Sequence, residues 1–404
     1  MSTGSTPSHG EALWPSVESE TQTWIPSTAG FGVSEQAELC RYSSAVPPLI
    51  ADRTPVLDAE TLRLAESATI ELIRFDEELG HKVASFAPVL LRSESASSSQ
   101  IENLTASARA IFSAELGLTK NRNAESIAAN TKAMMAALQL AQGISAEPIL
   151  RMHAVLMEHQ SIHPAGKWRD EPVWIGTRGD SPLDAEFVAP HHSRVPALVD
   201  DVVAFARRQD VPALVCVAVS HAQFETIHPF TDGNGRTGRA LAQSILRFRG
   251  VTRNVAMPVS AGLLADVAGY HQALTSYRAG EVDPIVRAFS HAALRSVANT
   301  RQLVEEIELI QDSWRGRLKA RKSSNAWRIL DLVAERPVID SATVAAELGV
   351  KQPNVYPPLK ALVDAGILKS KDEHKLGPFW RSDEVLKAID DFAKRAGRRQ
   401  KSWA

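Results

Sequence analysis

The sequence lacks several features that mark specialised classes of protein. Its 404 residues include only two cysteines, Cys40 and Cys216, and their wide separation excludes a disulfide framework. So few cysteines favour a reducing compartment, and we expect a cytoplasmic protein. No apolar run approaches the length of a membrane span, and the first residues do not resemble a signal peptide, so no membrane partner is expected. The formal net charge of −2 gives no general affinity for nucleic acid.

The hydrophobic content of 44% is that of an ordinary globular protein. Composition and helical periodicity divide the chain into five regions. They are a flexible arm rich in Ser, Thr, Pro and Gly, a first helical region, a helical core, a connecting helix and a C-terminal domain, at residues 1–44, 45–122, 123–300, 301–325 and 326–404. Within the arm, Trp14 and Trp24 are expected to dock on the body.

The densest group of reactive side chains is the stretch from His228 to Arg239, HPFTDGNGRTGR. The segments on both sides, 211–226 and 241–248, place apolar residues at helical spacing, so the motif is expected to join two helices. The DGNG within it is also a common hairpin turn, but the flanking segments do not alternate as strands do. His228 is the natural general base for a hydroxyl nucleophile, because histidine titrates near neutrality.

The rest of the motif suits phosphate chemistry. Gly233 and Gly235 can take positive φ and bring backbone N–H groups close to a ligand, and the following helix points its positive end at the same place. Asp232 supplies a carboxylate of the kind that binds magnesium together with substrate phosphates. Arg236 and Arg239 lie three residues apart on one helix face, where two guanidinium groups could clamp phosphate oxygens.

This stretch matches all nine specified positions of HPFx[D/E]GNGRxxR, the signature of the Fic family. The chain resembles a Fic protein from about residue 44 to residue 300. The resemblance implies a mainly α fold, a Fic-type helical bundle with a small β-hairpin flap. It also implies a protein adenylyltransferase, which transfers AMP from ATP to a Ser, Thr or Tyr hydroxyl of a protein. In that reaction His228 would be the base and Asp232 would hold Mg²⁺.

The resemblance assigns the residues that bind the phosphates of ATP. Asn234, with the backbone of Gly233 and Gly235, would hold the α-phosphate. Arg236 would bind the β-phosphate and Arg239 the γ-phosphate. The implied partners are ATP and a protein target, the chain itself included, and a homodimer is left open.

A tyrosine after the motif is the candidate for the adenine pocket. Residues 258–279 resemble the family segment whose tyrosine lines that pocket, which indicates Tyr270 and, as a second candidate, Tyr277. Because aromatic residues at helical spacing commonly belong to the core, the alternative is a packing role.

A second short motif precedes the core. Ser98, Glu102 and Asn103 fit [S/T]xxxE[G/N], the inhibitory motif of the family, on a helix expected near 97–104. In this interpretation Glu102 contacts Arg239 and occupies the guanidinium that the γ-phosphate needs. The four residues SQIE that end at Glu102 also fit a capping box, in which that carboxylate would only hold the start of its own helix.

Between the first helices and the motif lie two strand-like segments, 173–175 and 186–188, joined by a polar loop. In Fic proteins a similar hairpin is the flap that pairs with the target segment by β-augmentation. The flap residues of this chain would be Val173, Trp174, Ile175, Gly176, Glu186, Phe187 and Val188. A plain surface hairpin is the alternative.

The last region resembles a winged helix-turn-helix, a fold that commonly binds DNA. Two observations oppose DNA binding, namely a slight basic excess and a recognition helix that prolines force to begin no earlier than Pro357. We therefore favour a docking or regulatory module. Three other functions stay open: a DNA-binding regulator with a nucleotide-sensing core, an enzyme that removes AMP, and transfer of another phosphate-linked group. Gly235 argues against a kinase-like activity, because the kinase-like relatives usually carry Lys at this position.

Overall fold

A computed structural model describes residues 14–24, 40–80, 83–139, 143–176, 181–373 and 377–397. Over these residues the protein is mostly helical, as the sequence predicts. None of the described helices combines the length and the apolar character that a bilayer span needs. The helices are α1 Ala59–Leu79, α2 Val83–Ile101, α3 Ala108–Glu115, α4 Arg122–Gln139, α5 Ala146–Leu156, α6 Val195–Ala206, α7 Ala213–Ile227, α8 Asn234–Phe248, α9 Val259–Leu264, α10 Val267–Arg278, α11 Asp283–Arg317, α12 Ala326–Glu335, α13 Ser341–Leu348, α14 Tyr356–Asp364 and α15 Asp383–Ala396.

Within the described ranges the strands form small antiparallel sheets. β1 pairs with β2, β3 pairs with β4, and the last sheet has the order β5-β7-β6. The strands are β1 Glu18–Trp24, β2 Cys40–Val46, β3 Trp174–Ile175, β4 Phe187–Val188, β5 Val338–Asp340, β6 Lys369–Glu373 and β7 Gly377–Arg381.

Part of the N-terminal arm is ordered by strand pairing, so the expectation of a flexible arm is wrong for residues 14–24 and 40–44. β1 pairs with β2 along its whole length. Two tryptophan rings anchor this segment as expected. Trp14 packs against Phe205 at a centroid distance of 6.4 Å, and Trp24 packs against Trp174 at 5.6 Å. Buried aromatic area and a complete backbone ladder outweigh the polar composition from which the arm was predicted. The other residues of the arm lie outside the described ranges.

Helix α7 is the centre of the helical core. Every side chain from Leu214 to Ile227 is buried, the polar ones included. Helices α6, α8 and α11 pack against it. A helix that is apolar on nearly all sides is stable only in such surroundings. Because α7 ends directly before the motif, its burial fixes the place of the motif in the molecule.

Helix α11 is continuous over 35 residues, from Asp283 to Arg317. In the region expected to be a connecting helix, 301–325, residues 301–317 are helical, and they continue a helix of the core. No Gly or Pro occurs between residues 285 and 315 to end the helix. Its buried stripe continues through Leu303, Ile307 and Trp314, so one helix serves both the core and the C-terminal region.

The C-terminal region has the order α12, β5, α13, α14, β6, β7 and α15. Helix α14 begins at Tyr356, one residue before the earliest start that the prolines predict, because proline is compatible with the first turn of a helix. Helix α12 packs against α2, and α15 packs against α2, α3 and α11. The region therefore shares its core with the preceding helices.

Candidate functional site

The first half of the motif, residues 228–233, forms the predicted loop between α7 and α8, whereas its second half, from Asn234 on, is already the start of α8. His228 ends α7 in the left-handed conformation, with φ 50°. Gly233, with φ 76°, is the N-cap of α8. Gly235, by contrast, lies within the first turn of α8 and does not have a positive φ, so the expectation for that glycine is wrong. The first N–H groups of α8 have no partner within the helix and point toward the loop.

Gly235 is needed for close approach. A Cβ atom at this position would lie 2.2 Å from Glu102 Oε1 and 2.9 Å from Arg239 Nη1. Any side chain would therefore displace one of the two charged groups. Glycine is the residue that allows a carboxylate and a guanidinium to meet against the helix backbone.

The imidazole of His228 is prepared to accept a proton. Its Nδ1 lies 3.3 Å from the carbonyl oxygen of Glu225, and a carbonyl only accepts hydrogen bonds, so Nδ1 carries the hydrogen. This leaves the lone pair on Nε2. Burial lowers the pKa of His228 to about 4, so the ring is neutral at pH 7. His228 also lines the main cavity of the site.

The Asn234 side chain closes the motif loop, a role that the sequence analysis did not assign to it. Its Nδ2 donates to the carbonyl of Phe230 at 2.8 Å, and its Oδ1 accepts from the Phe230 N–H at 2.8 Å. Both ends of the amide are thus used to close the motif loop. The side chain thus braces the loop, while Asn234 also lines the cavity and retains one amide N–H, so its contact with the α-phosphate stays a prediction.

Two residues that the sequence analysis did not assign to the site hold this loop from outside. His153 is fully buried on α5 and its Nε2 donates to the carbonyl of Asp232 at 3.0 Å, while its ring stacks on Phe230 at 3.7 Å. Arg169 is buried as well, and its Nε donates to the carbonyl of His228 at 2.8 Å. The burial of His153 could have been predicted from the sequence, because the residue continues the apolar face of α5 that turns inward. No sequence feature indicates that Arg169 is buried at the site.

Arg239 is buried and held by the C-terminal end of α2. Its Nε donates to Ser98 Oγ at 2.8 Å and its Nη2 to the Ser98 carbonyl at 2.8 Å. The same Nη2 lies 2.6 Å from Glu102 Oε1. The negative end of a helix dipole and a carboxylate thus face one guanidinium. Ser98 and Glu102 are the first and second fixed positions of the short motif, and the structure brings both to Arg239.

Glu102 also bonds Arg236, which the sequence analysis did not predict. Arg236 Nε donates to Glu102 Oε2 at 3.0 Å. The remaining nitrogens of Arg236 bond Ser126 Oγ at 3.1 Å and Asp232 Oδ2 at 3.3 Å. One carboxylate therefore bridges the two arginines that the resemblance assigns to the β- and γ-phosphates.

The position of Glu102 follows from how α2 ends. The N–H of Leu104 donates to the Ser99 carbonyl and the N–H of Asn103 to the Gln100 carbonyl, both at 3.0 Å. Asn103 has φ 62°. This is a Schellman ending with Asn in the left-handed position. The helix expected near 97–104 is therefore the last turn of a longer helix, Val83–Ile101, and Glu102 follows its end. The capping-box alternative is wrong, because no helix begins there.

The groups described so far meet in one cavity of about 400 Å³. His228, Asp232, Glu102 and Arg239 line it, together with the first turn of α8. Tyr270 lines it too, and its hydroxyl lies 2.7 Å from His221 Nε2. The second candidate for the adenine pocket, Tyr277, is not among the described residues that line the cavity. It packs on Trp14 and donates to Gln223 Oε1 at 2.9 Å.

Glu225 is another cavity residue that the sequence analysis did not predict. Its carboxyl is buried, and burial raises its pKa to about 7. A Cβ on Gly238 would lie 2.8 Å from Glu225 Oε1, so this glycine, in the second turn of α8, makes room for the carboxyl. The raised pKa lowers the negative charge that Glu225 places in the cavity at neutral pH.

The expected hairpin is present beside the cavity. Trp174 pairs with Val188 and Ile175 with Phe187 in antiparallel register, while Val173, Gly176 and Glu186 flank the two strands. The Ile175 and Glu186 side chains line the cavity. Across the hairpin, the Arg278 guanidinium lies 3.8 Å from the centre of the Phe187 ring. The hairpin therefore forms one wall of the cavity.

Comparison with known proteins agrees with this geometry. Residues 143–246 match the model of the Fic/DOC family, a range that includes α5 to α7 and most of α8. The chain therefore carries a Fic domain. It is 26% identical over 170 residues to protein adenylyltransferase fic-1 of Caenorhabditis elegans, covering 42% of this chain and 30% of that protein. A probable protein adenylyltransferase of Aquifex aeolicus is 36% identical over 88 residues, covering 20% of this chain and 28% of that protein.

The chain spans between 26% and 35% of the length of the curated relatives it matches. A wider likeness is to the crystal structure of a Fic family protein from Desulfovibrio desulfuricans, at 20% identity and a TM-score of 0.50. This match covers 81% of the present chain and 97% of that chain, so the shared fold extends beyond the Fic domain.

A buried carboxyl fixes α2, which carries Ser98, against the Fic domain. Glu94 accepts from the N–H and hydroxyl of Ser260 at 2.9 and 2.6 Å, and from Gln243 Nε2 at 3.1 Å. Burial raises the pKa of Glu94 to about 7 even though these donors favour the ionised form.

The raised pKa of Glu94 predicts a pH-dependent stability. The folded chain keeps a proton there up to about pH 7, whereas the unfolded chain releases it near 4.5, so this contribution to stability falls as pH rises between those values. The free energy of unfolding of the parent minus that of Glu94→Gln should be larger at pH 5 than at pH 8, by up to about 3 kcal/mol. Denaturant unfolding at both pH values measures it. Glu77→Gln, at an exposed site of α1, is the control, and an equal difference at both pH values would contradict the assignment.

Proposed function

We propose that the protein is an adenylyltransferase that transfers AMP from ATP to a Ser, Thr or Tyr hydroxyl of a protein. The observation that carries the proposal is the meeting of three elements in one cavity. They are the neutral imidazole of His228, the free N–H groups at the start of α8, and the guanidinium of Arg239. Arg236, bonded to the same carboxylate as Arg239, lies beside them.

The reaction follows from the placement of these groups. The target hydroxyl gives its proton to His228 Nε2, and its oxygen forms a bond to the α-phosphorus. The bond from that phosphorus to the bridging oxygen of the β-phosphate breaks, and pyrophosphate leaves. Backbone N–H groups at the start of α8 stabilise charge on the α-phosphate oxygens. Arg236 and Arg239 bind the β- and γ-phosphates, which carry the charge of the leaving group.

Magnesium fits the site through Asp232. Its carboxylate is 46% exposed, lines the cavity and has one weak contact, to Arg236 at 3.3 Å. Among the described residues no cluster of three or more His, Cys, Asp or Glu side chains could hold a metal alone. One carboxylate with substrate phosphates and waters is a usual Mg²⁺ environment. Bound there, the ion would neutralise phosphate charge and orient the phosphates.

The hairpin is the surface proposed to hold the target. Strand β2 lies against β4, and β4 pairs with β3, so we propose the β3 edge of the hairpin as the side that meets a target segment. Pairing along a strand edge supplies backbone hydrogen bonds without requiring a particular sequence. Ile175, 42% exposed, reaches from this edge to the cavity that contains His228, so a paired segment would place a hydroxyl near the base.

We further propose that Glu102 inhibits the enzyme. Its carboxylate bonds both Arg236 and Arg239, and the side chains of both arginines are buried. The γ- and β-phosphates would have to displace this carboxylate to reach the same donors. ATP then binds weakly, or binds with its α-phosphate turned away from the attacking oxygen.

The C-terminal region is proposed to be a winged helix that acts in docking. Helix α14, in the place of the recognition helix, carries Tyr356, Pro357 and Lys360 on its surface. These line a groove of about 580 Å³ with Pro378 and Trp380, and the groove surface is mostly apolar. Base edges are read by polar side chains, so this face suits a protein partner better than a duplex.

The first prediction concerns the base. With ATP labelled at the α-phosphate, label should enter protein, and His228→Ala should reduce labelling by at least roughly a hundredfold because general-base catalysis is lost. Label at the γ-phosphate should not be transferred. His159→Ala, at an exposed site, serves as the control, and melting temperatures verify that both variants fold. Full activity in His228→Ala would overturn the mechanism.

The second prediction concerns inhibition. Glu102→Ala should raise AMP transfer by roughly tenfold to a hundredfold, since charge-assisted hydrogen bonds contribute about 1.5 to 3 kcal/mol. The melting temperature should stay equal or fall, because two arginines lose their partner. Glu158→Ala, 58% exposed and away from the arginines, should change neither quantity. Unchanged transfer by Glu102→Ala in ATP titrations would show that the carboxylate is only structural.

A third prediction tests the C-terminal region. Fluorescence anisotropy with duplex DNA of mixed sequence should show weak binding that disappears at moderate salt and does not respond to Tyr356→Ser. Tight, sequence-dependent binding that survives moderate salt would favour the DNA-binding regulator.

A further inference from the structure

A second cleft, separate from the cavity of the motif, lies where α9, α11 and α15 meet. Its volume is about 280 Å³, and it shares no lining residue with the cavity that contains His228. Two arginines, Arg295 on α11 and Arg395 on α15, line it with Ser296, Asn299 and Gln302. No acidic side chain is among the described residues that line it. The cleft is thus a concavity with two arginines between α9 and α11 on one side and α15 on the other.

Two buried polar atoms of this cleft have no hydrogen-bond partner in the described part of the chain. They are Arg295 Nε and Ser296 Oγ. Serines on buried helices often satisfy the hydroxyl on the carbonyl four residues earlier, as Ser290 does on Val286 at 2.7 Å. Ser296 does not. Because a buried donor without a partner is unfavourable, these neighbouring residues offer two donors to a ligand.

The opposite wall of the cleft is held in place. Arg395 Nε donates to Asn299 Oδ1 at 2.7 Å, and its terminal nitrogens donate to Glu306 at 3.0 and 3.4 Å. Asn299 Nδ2 in turn donates to the Phe392 carbonyl at 3.2 Å. A guanidinium has five N–H donors, so Arg395 retains donors after these contacts. Its orientation is fixed before any ligand arrives.

We propose that this cleft binds a small oxyanion, a phosphate or carboxylate group, between Arg295 with Ser296 on one side and Arg395 on the other. The charge of Arg295, the unpaired donors and the size of the cleft favour this ligand class, and Arg395, whose charge is shared with Glu306, adds its remaining N–H donors. Planar guanidinium forks match the geometry of phosphate and carboxylate oxygens. The volume lies at the lower end for small-molecule sites, so the ligand is compact.

The bound anion would join two helices that also support the inhibitory segment. Helix α15 packs on α2 and α3, and Asp390 Oδ1 accepts from the Ala108 N–H at 2.8 Å. A ligand that bridges α11 and α15 favours the folded arrangement of these helices by mass action. Its binding is independent of the proposed AMP transfer, so a failure of one would not decide the other.

Calorimetric titration of the full chain with inorganic phosphate, and separately with succinate, tests the proposal. The active site also contains arginines, so binding is compared in Arg295→Ala and Arg239→Ala. Arg295→Ala should weaken binding by at least roughly tenfold, whereas Arg239→Ala should retain it. Arg315→Ala, at an exposed site of the same helix, is the charge-matched control.

Ser296→Ala is a second variant that removes a donor with little change in volume, and it should weaken the same binding if Arg295→Ala does not fold. If phosphate or succinate binds, and Arg295→Ala weakens that binding whereas Arg239→Ala does not, the proposal is supported. The probe that binds then shows whether the cleft prefers phosphate or carboxylate. Loss of binding in Arg239→Ala with retention in Arg295→Ala would place the anion in the active site and overturn the proposal. No binding of either probe at millimolar concentrations would overturn it as well.

Discussion

The structure of the site depends on the contact between two buried guanidinium groups and the C-terminal end of α2. Arg236 and Arg239 are 6% and 4% exposed, and charges so far removed from water require partners. Glu102 supplies a carboxylate to both, and Ser98 adds a hydroxyl and a carbonyl. The same donors would suit phosphate oxygens. A nucleotide would therefore exchange one set of acceptors for another and would find the arginines already in place.

This contact explains residue choices in both motifs. Asn103 takes the left-handed conformation that ends α2, and Asn and Gly are the residues that adopt it most readily, which accounts for the last position of [S/T]xxxE[G/N]. Ser98 lies four residues before Glu102, one helical turn, so both reach Arg239 from the same side. Gly235 is required because a Cβ would collide with the carboxylate. The fixed positions of the short motif and Gly235 of the long one thus have steric or hydrogen-bonding causes.

The sequence was sufficient where the signal is local. Hydrophobic periodicity predicted a loop between two helices, and short β-rich runs predicted the hairpin. It was insufficient where a partner is distant along the chain. His153 bonds Asp232, 79 residues away, and Arg169 bonds His228, 59 residues away. Composition also misled, because the polar β1 strand is held by a ladder with β2 and not by its own hydrophobicity. The closure of the loop by the Asn234 amide was not predicted either, because its two bonds to Phe230 cannot be read from the order of the residues.

The C-terminal region shows why a boundary in sequence pattern is not a boundary in packing. The change to charged residues after Arg301 suggested a connector, yet α11 remains helical to Arg317 and buries Trp314, whose Nε1 donates to Glu384 of α15. Helices α12 and α15 both rest on α2, the helix whose end holds Glu102. A movement of the C-terminal helices would therefore change the surroundings of α2 directly. Close-packed interfaces change between discrete arrangements and do not deform gradually. Such a movement would therefore shift Glu102 together with α2.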